Sequence, residues 1–317
     1  MFESFIVVAR QVAILFLLMG VGAVCHRLKL VSREAVKGLT ELLVLIVTPS
    51  LILHVFQRPF DNALLEGLGW AVAMSFAAHA LGCALAFLFV RGGEVEKRGV
   101  MRFAVIFSNA GFMGLPLEYA LLGPRGVFFG AVYVVMFNLM CWSWGVMVMR
   151  GEVQGVKVRS FLVNPGTVGV ALGLPFFLFS VKLPPIVGEP VRMLADLNTP
   201  LAMIMTGWYL ADADFRPVLR SVQAYVAGAL RLVAVPALMV GGMRVLMAAG
   251  FRLDATMCAA IATASAAPVA ALTTVVAARL GRDTSTATGL VSGTTLVSMA
   301  TMPPVVGFVL WLFGCAH

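Results

Sequence analysis

Charge is scarce in this chain of 317 residues: 12% are Asp, Glu, Lys or Arg, against 61% hydrophobic, and the mean hydropathy is +0.97. An ordinary soluble domain carries about a quarter of its residues as charged side chains, so that class is excluded and an all-α integral membrane protein is indicated. Histidine is nearly absent, with four (His26, His54, His79 and His317) on separate segments. No HExxH pair, GxSxG turn or Walker lysine accompanies them, so no nucleophile-base pair or metal set is in prospect. The chain is therefore not expected to be an enzyme, to need a cofactor or to hold a structural metal. The five cysteines show no CxxC or CxH spacing and read as packing residues. The net charge of +8 comes from basic residues in short loops, without a stripe interleaved with aromatics, which argues against a nucleic-acid partner.

Apolar runs long enough to cross a bilayer, about 20 residues each, lie at roughly 6–26, 36–57, 67–90, 101–122, 126–149, 161–180, 187–211, 218–247, 255–280 and 286–314. The first has no basic residue in front of it and no convincing cleavage site behind it, so it reads as a retained helix. Ten runs make two sets of five. A duplicated unit with an odd number of spans must enter the membrane from the opposite side the second time, so the expectation is an inverted repeat: residues 1–150, a cytoplasmic linker at 151–160, and residues 161–317. Basic residues fix the orientation. Of the 23, fifteen fall in alternate loops, among them Arg27, Arg33, Arg98, Arg150, Arg216 and Arg279, while six fall in the others and Arg10 and Arg231 lie inside runs. By the positive-inside rule the rich loops are cytoplasmic, and both termini face away from the cytoplasm of a multi-pass cell membrane protein, in the inner membrane if the source is prokaryotic.

The two sets are interrupted at matching places. Thr48-Pro49 recurs 151 positions later as Thr199-Pro200, and Pro116 recurs 152 positions later as Pro268. A proline at bilayer depth frees backbone groups that lipid cannot satisfy, and paired interruptions mark a substrate site between repeats. Pro49 and Pro200 are thus expected helix breaks. In the fourth run, Ser108, Asn109, Gly111 and Gly114 cluster ahead of Pro116, and in the ninth, Thr263 and Ser265 precede Pro268. Proline at 116 and 268 is expected to leave the Phe112 and Ala264 carbonyls open. If the two breaks cross, half-helix N-termini converge near mid-depth, where they attract anions by roughly 0.3 to 1 kcal/mol each.

Ionisable residues inside runs are candidates for function, since each costs roughly 2.5 to 3.5 kcal/mol at a helix centre. Arg231 and His79 stand 152 positions apart near the middles of the eighth and third runs. Two readings stay open for Arg231: a bidentate partner for a substrate carboxylate, or a tie to Asp196 or a backbone carbonyl. Asp196, Glu118 and His79 are candidates for coupling to a proton or sodium ion, with Glu118 alternatively solvated at the outer interface and His79 alternatively a packing residue. Asn138 in the fifth run is placed to reach a cavity or to bond a neighbouring helix. Gly126-x-x-x-Gly130, Gly169-x-x-x-Gly173 and Gly289-x-x-x-Gly293 allow close helix contact.

Asn109 to Leu117, read as N-x-x-x-M-G-x-P-L, resembles the fourth-helix motif of the auxin efflux carrier family, which includes PIN-type plant auxin carriers and bacterial malate and malonate permeases. Pro268, Val275-Val276-Ala277 and the stretch from Thr294-Thr295 through Ser298 to Pro303 are similar to that family's C-terminal region. The resemblance covers the whole chain. It implies a bile-acid-symporter-like fold of ten helices, with crossed, broken fourth and ninth helices in a transport domain (helices 3–5 and 8–10) that moves against a scaffold (helices 1, 2, 6 and 7). It also implies organic carboxylates as substrates, with Asn109, Pro116 and Pro268 at the crossover. The chain departs from the plant carriers at Val269-Ala270 and Thr273, where they have Gln-Gly and a second proline, and it lacks their long cytoplasmic loop.

The reading reached is a secondary active transporter for small organic anions working by an elevator-like shift. Ser108, Asn109, Gly111, Pro116, Asn138, Arg231, Thr263, Ser265 and Pro268 are its candidate substrate-binding residues, and a homodimer is a candidate assembly. A passive anion channel or membrane receptor built on the same cavity is the alternative.

Overall fold

The computed structural model describes residues 2–92, 94–151 and 165–315. The expected linker beyond Gly151 and the first four residues of the sixth run lie outside them. Among the described residues the regular structure is all helix, joined by short connections, apart from one isolated bridge between Ser108 and Val269. We number the helices α1 (Phe2–Arg27), α2 (Arg33–Phe56), α3 (Asn62–Phe89), α4 (Val95–Ile106), α5 (Ala110–Arg150), α6 (Pro165–Leu178), α7 (Pro185–Asp196), α8 (Asn198–Ala211), α9 (Arg216–Leu219), α10 (Val222–Ala248), α11 (Ala255–Ala266), α12 (Leu272–Arg279) and α13 (Thr284–Leu312). Six of them, α1, α2, α3, α5, α10 and α13, are long and apolar enough to span a bilayer.

Local chemistry starts and stops these helices. Ser32, Asp61, Ser221, Asp254 and Asp283 each accept a hydrogen bond from a first-turn N–H, as N-caps do, at the starts of α2, α3, α10, α11 and α13. Side chains such as Leu17, Leu45, Val222 and Phe308 are exposed on outer faces, which suits contact with lipid rather than water. By contrast, α11 is buried on every side from Met257 to Ala266, so it forms the centre of the bundle.

Three prolines, among them Pro49 and Pro116 where breaks are expected, are instead absorbed. Pro49, Pro116 and Pro236 each follow a widened π-turn, at Leu43–Val47, Ala110–Gly114 and Leu230–Ala234. The looser turn spares the backbone the missing proline N–H and the ring clash with the preceding turn. Pro49 consequently does not end α2, and Pro116 sits at the start of the α-helical part of α5 rather than at an interruption. Near Pro200 the only disturbance is at Leu197, between α7 and α8. The sharp reversal in α5 belongs to Gly123, whose φ of 64° and ψ of −161° are open to glycine, and it separates two arms of that helix.

Packing is closest where side chains are absent. A Cβ at Gly22 of α1 would run into the Ile204 carbonyl, and one at Gly207 of α8 into the Met19 carbonyl, so the two backbones touch reciprocally. α1 also packs on α13, while α2 packs on α6 and α7, with Gly173 of α6 against Phe56. The buried hydroxyl of Thr48 donates to the Asn198 Oδ1 at 3.0 Å, which joins the two Thr-Pro regions across 150 residues of sequence. On the other side, α5 packs on α3 and α11, and α4 packs on α3, α10 and α13.

Candidate functional site

The chain is interrupted at Phe107–Asn109, between α4 and α5, and at Ala267–Ala271, between α11 and α12. These two extended pieces lie antiparallel. The Asn109 N–H donates to the Pro268 carbonyl at 2.7 Å and the Ala270 N–H donates to the Phe107 carbonyl at 3.0 Å. Two short helices therefore end, and two begin, within a few residues of one point. The break in the first half lies seven residues before Pro116, and the Ala264 carbonyl is not left open, because it accepts from the Ala267 N–H at 3.4 Å. Pro268 lies outside the helix, where its missing donor is of no consequence.

Arg231 occupies the side where the helices end. Buried completely, it donates through Nη1 to the carbonyls of Val105 and Ile106, at 3.0 and 3.2 Å, and through Nη2 to the carbonyl of Ser265. The last carbonyls of a helix lack intrahelical donors and carry the negative end of its dipole. One guanidinium thus caps α4 and α11 together. Of the two readings open for Arg231, the structure contains the tie to backbone carbonyls and not the tie to Asp196. The Tyr133 phenol lies beside it, and the Ser108 Oγ donates to the Tyr133 hydroxyl at 3.3 Å.

On the opposite side the helices begin. The Asn109 carbonyl accepts from the N–H groups of Met113 and Gly114, which leaves the first N–H groups of α5 without an intrahelical acceptor, whereas at the start of α12 the Thr273 and Thr274 N–H groups turn back to the Ala270 and Ala271 carbonyls. The Asn109 Nδ2 at the start of α5, the Thr273 Oγ1 in the first turn of α12 and the Thr263 Oγ1 in the last turn of α11 are all buried and without a hydrogen-bond partner among the described residues. Gly111, in the first turn of α5, faces open space that a Cβ would not fill. Ser265 is satisfied locally, its Oγ donating to the Ala262 carbonyl at 2.8 Å, and Asn138 is half-buried with its Nδ2 donating to the Val134 carbonyl at 2.8 Å. Two open clefts, of about 290 and 210 Å³, lie elsewhere, one beside His54, Lys182 and Arg192 and one beside Glu66, Trp70 and Asp254. With Asn109 only 5% exposed, the crossover itself is closed to solvent in this conformation.

The ionisable candidates separate. His79 stands at the crossover: its ring is 4.9 Å from that of Tyr133, its Nδ1 is 2.7 Å from the Ser75 carbonyl, and it is near enough to Arg231 to feel the charge. Asp196 is outside, exposed at the end of α7 and paired at 2.9 Å with Arg192, which also pairs with Glu189. Glu118 is not solvated at an interface. It is 0% exposed, and neither carboxyl oxygen has a hydrogen-bond partner, because Gly114 and Gly130 have no side chains to keep it from folding inward.

Sequence reasoning passed over Tyr133, Thr273 and Thr294 as site residues, the last accepting at Oγ1 from the Val269 N–H at 3.1 Å. It also passed over Asn198. The available signal for Asn198 was its place directly before Thr199-Pro200; for Tyr133 there was none, since a lone tyrosine in an apolar run resembles any core aromatic.

The family model described as membrane transport protein matches residues 7–306 of this chain. An uncharacterized transporter of Methanothermobacter thermautotrophicus is 25% identical to it over 288 residues, which is 89% of this chain and 92% of that relative.

Proposed function

The chain belongs to the membrane transport protein family, and from that premise we propose that it is a secondary active carrier of small organic carboxylates, such as malate or malonate. The observation that carries this reading is the arrangement of helix ends at the crossover. One guanidinium neutralises the C-terminal ends of α4 and α11, while α5 begins at Asn109 with its first N–H groups free and the buried Asn109 Nδ2 without a partner. An anion is favoured at the start of α5 by both the free N–H groups and the dipole behind them.

In this reading Asn109 and Thr263 bind the carboxylate with the N–H groups of α5, and Gly111 leaves it room. Ser108, Pro116 and Pro268 shape the crossing, and Ser265 and Asn138 turn toward the substrate when it enters. Arg231 holds the crossing and does not bind substrate. The ten apolar runs form two inverted five-helix repeats. The helices α1, α2 and α6–α8 serve as scaffold and the helices α3–α5 and α10–α13 as the moving domain, a division supported by the packing of α1 on α8 and of α2 on α6. An elevator-like shift of the second group then carries the crossover from one side of the bilayer to the other, with both termini away from the cytoplasm.

Reconstituted protein is tested with labelled malate and malonate. Saturable uptake that is stimulated by unlabelled substrate on the far side is expected, and Asn109→Ala should weaken it at least tenfold while melting at the wild-type temperature. A passive channel or receptor gives no counterflow. Unchanged kinetics in Asn109→Ala would remove that residue from the site.

A further inference from the structure

Glu118 is the one acidic side chain among the described residues that is completely buried. It lies nine residues after Asn109 on the first arm of α5, about 13 Å along the helix from the crossover. Its carboxyl group rests on the backbone of Gly130, on the returning arm of the same helix, where a Cβ would occupy the carboxyl position. On the near side, a Cβ at Gly114 would come to 3.5 Å of Oε1. Two glycines thus shape a fitted recess for a carboxyl group that makes no hydrogen bond.

No cation faces it. On its own helix the Tyr133 hydroxyl accepts from the Ser108 Oγ at 3.3 Å, and Arg125 is engaged by Asp254, the N-cap of α11, at 2.7 Å. From α11 there is also Cys258; from α3, His79, whose Nδ1 is turned to the Ser75 carbonyl; from α10, Arg231, committed to three carbonyls. After α2 comes Arg58, over the Phe128 ring at 5.3 Å, and the described part of α6 has no titratable side chain. An ionised carboxylate so enclosed would be isolated from both water and counter-charge, whereas a protonated one only forgoes a hydrogen bond.

We propose that Glu118 is a proton-binding site, loaded in this conformation, and that it couples carboxylate movement to a proton gradient. The proton arrives from water on one face when the recess is hydrated, forms the O–H bond of the neutral acid, and returns to water on the other face as the carboxylate reforms. The inference rests on the carrier reading for its coupling half only; the protonation half stands on the recess.

Two measurements on the full-length protein separate them. In infrared difference spectra, wild-type protein at neutral pH should show the carbonyl band of a protonated carboxylic acid that Glu118→Gln lacks; a wild type without that band overturns the proposal. In proteoliposomes with the membrane voltage collapsed, a pH gradient of one unit should drive accumulation of labelled malate or malonate about tenfold if one proton accompanies each substrate. Glu118→Gln should reach no accumulation while still exchanging substrate at equal pH. Accumulation that persists undiminished in Glu118→Gln overturns the coupling. Absence of any malate or malonate movement in the wild type instead counts against the carrier reading, and the infrared band still decides Glu118. Should the glutamine variant not fold, Glu118→Asp, which keeps an acid one methylene shorter, should shift the band's titration midpoint; an unshifted band refutes the assignment.

Discussion

Replacing Arg231 tests whether the crossover is held by one side chain. The guanidinium satisfies three carbonyls on two separate helices, Val105 and Ile106 at the end of α4 and Ser265 at the end of α11. In Arg231→Met all three lose their donor, and at about 1 to 3 kcal/mol for each buried group left unsatisfied the gross loss is about 3 to 9 kcal/mol. Removing a buried charge returns several kcal/mol of desolvation, which leaves a net loss of at most about 5 kcal/mol. Arg231→Lys is the sharper probe. An ammonium is compact and lacks the planar fork, so it serves one helix end and leaves the other uncapped, for a loss of about 1 to 3 kcal/mol. For a chain of this size, about 2 °C of melting temperature accompanies each kcal/mol, so Arg231→Lys should melt roughly 2 to 6 °C below wild type in detergent. Substrate affinity per folded molecule should hardly change. A lysine variant that melts with the wild type yet binds malate much more weakly would refute the clamp and restore Arg231 as a substrate partner.

Two further substitutions test the packing. Gly130→Ala places a methyl group where the Glu118 carboxyl lies, and overpacking of that kind costs about 1 to 3 kcal/mol. The double variant with Glu118→Ala should recover much of the lost melting temperature, whereas additive losses would show that the two sites do not touch. Gly207→Ala sets a Cβ against the Met19 carbonyl at the contact of α1 with α8. It should cost about 1 to 3 kcal/mol in the same melting assay, and a variant as stable as wild type would mean that the two backbones are not in contact.

Helices α1, α2, α3, α10 and α13 were legible because lipid-facing and core-facing side chains are both apolar, so run length outlines them, whereas the fourth, seventh and ninth runs are each divided between two helices. The meeting of the two halves was legible in the 152-residue offset, which aligned the regions around 116 and 268 although the first break proved to be seven residues earlier. That displacement was not legible, because a proline states only that a donor is missing, and whether the backbone answers with a break or a wider turn depends on its neighbours. Arg231 was ambiguous for a related reason. Its partners are main-chain oxygens, which every residue possesses, so no sequence pattern announces them. Whether Glu118 lay inside or in solvent stayed open because its recess is made of what Gly114 and Gly130 lack, and the absence of a side chain is read from sequence as flexibility sooner than as a mould.

The widened turns ahead of Pro49, Pro116 and Pro236 carry a consequence for azimuth. Each accommodates one more residue per turn than the α-helix, and one residue corresponds to about 100° of rotation about the helix axis. Everything downstream is therefore re-aimed as a block: the stretch of α2 from Thr48 onward toward Asn198, the arm of α5 that presents Glu118 to Gly130, and the length of α10 beyond Arg231 against α11. Excising a single residue from any of the three would leave hydropathy and span length almost untouched, yet would swing the following face from its partner helix toward the hydrocarbon.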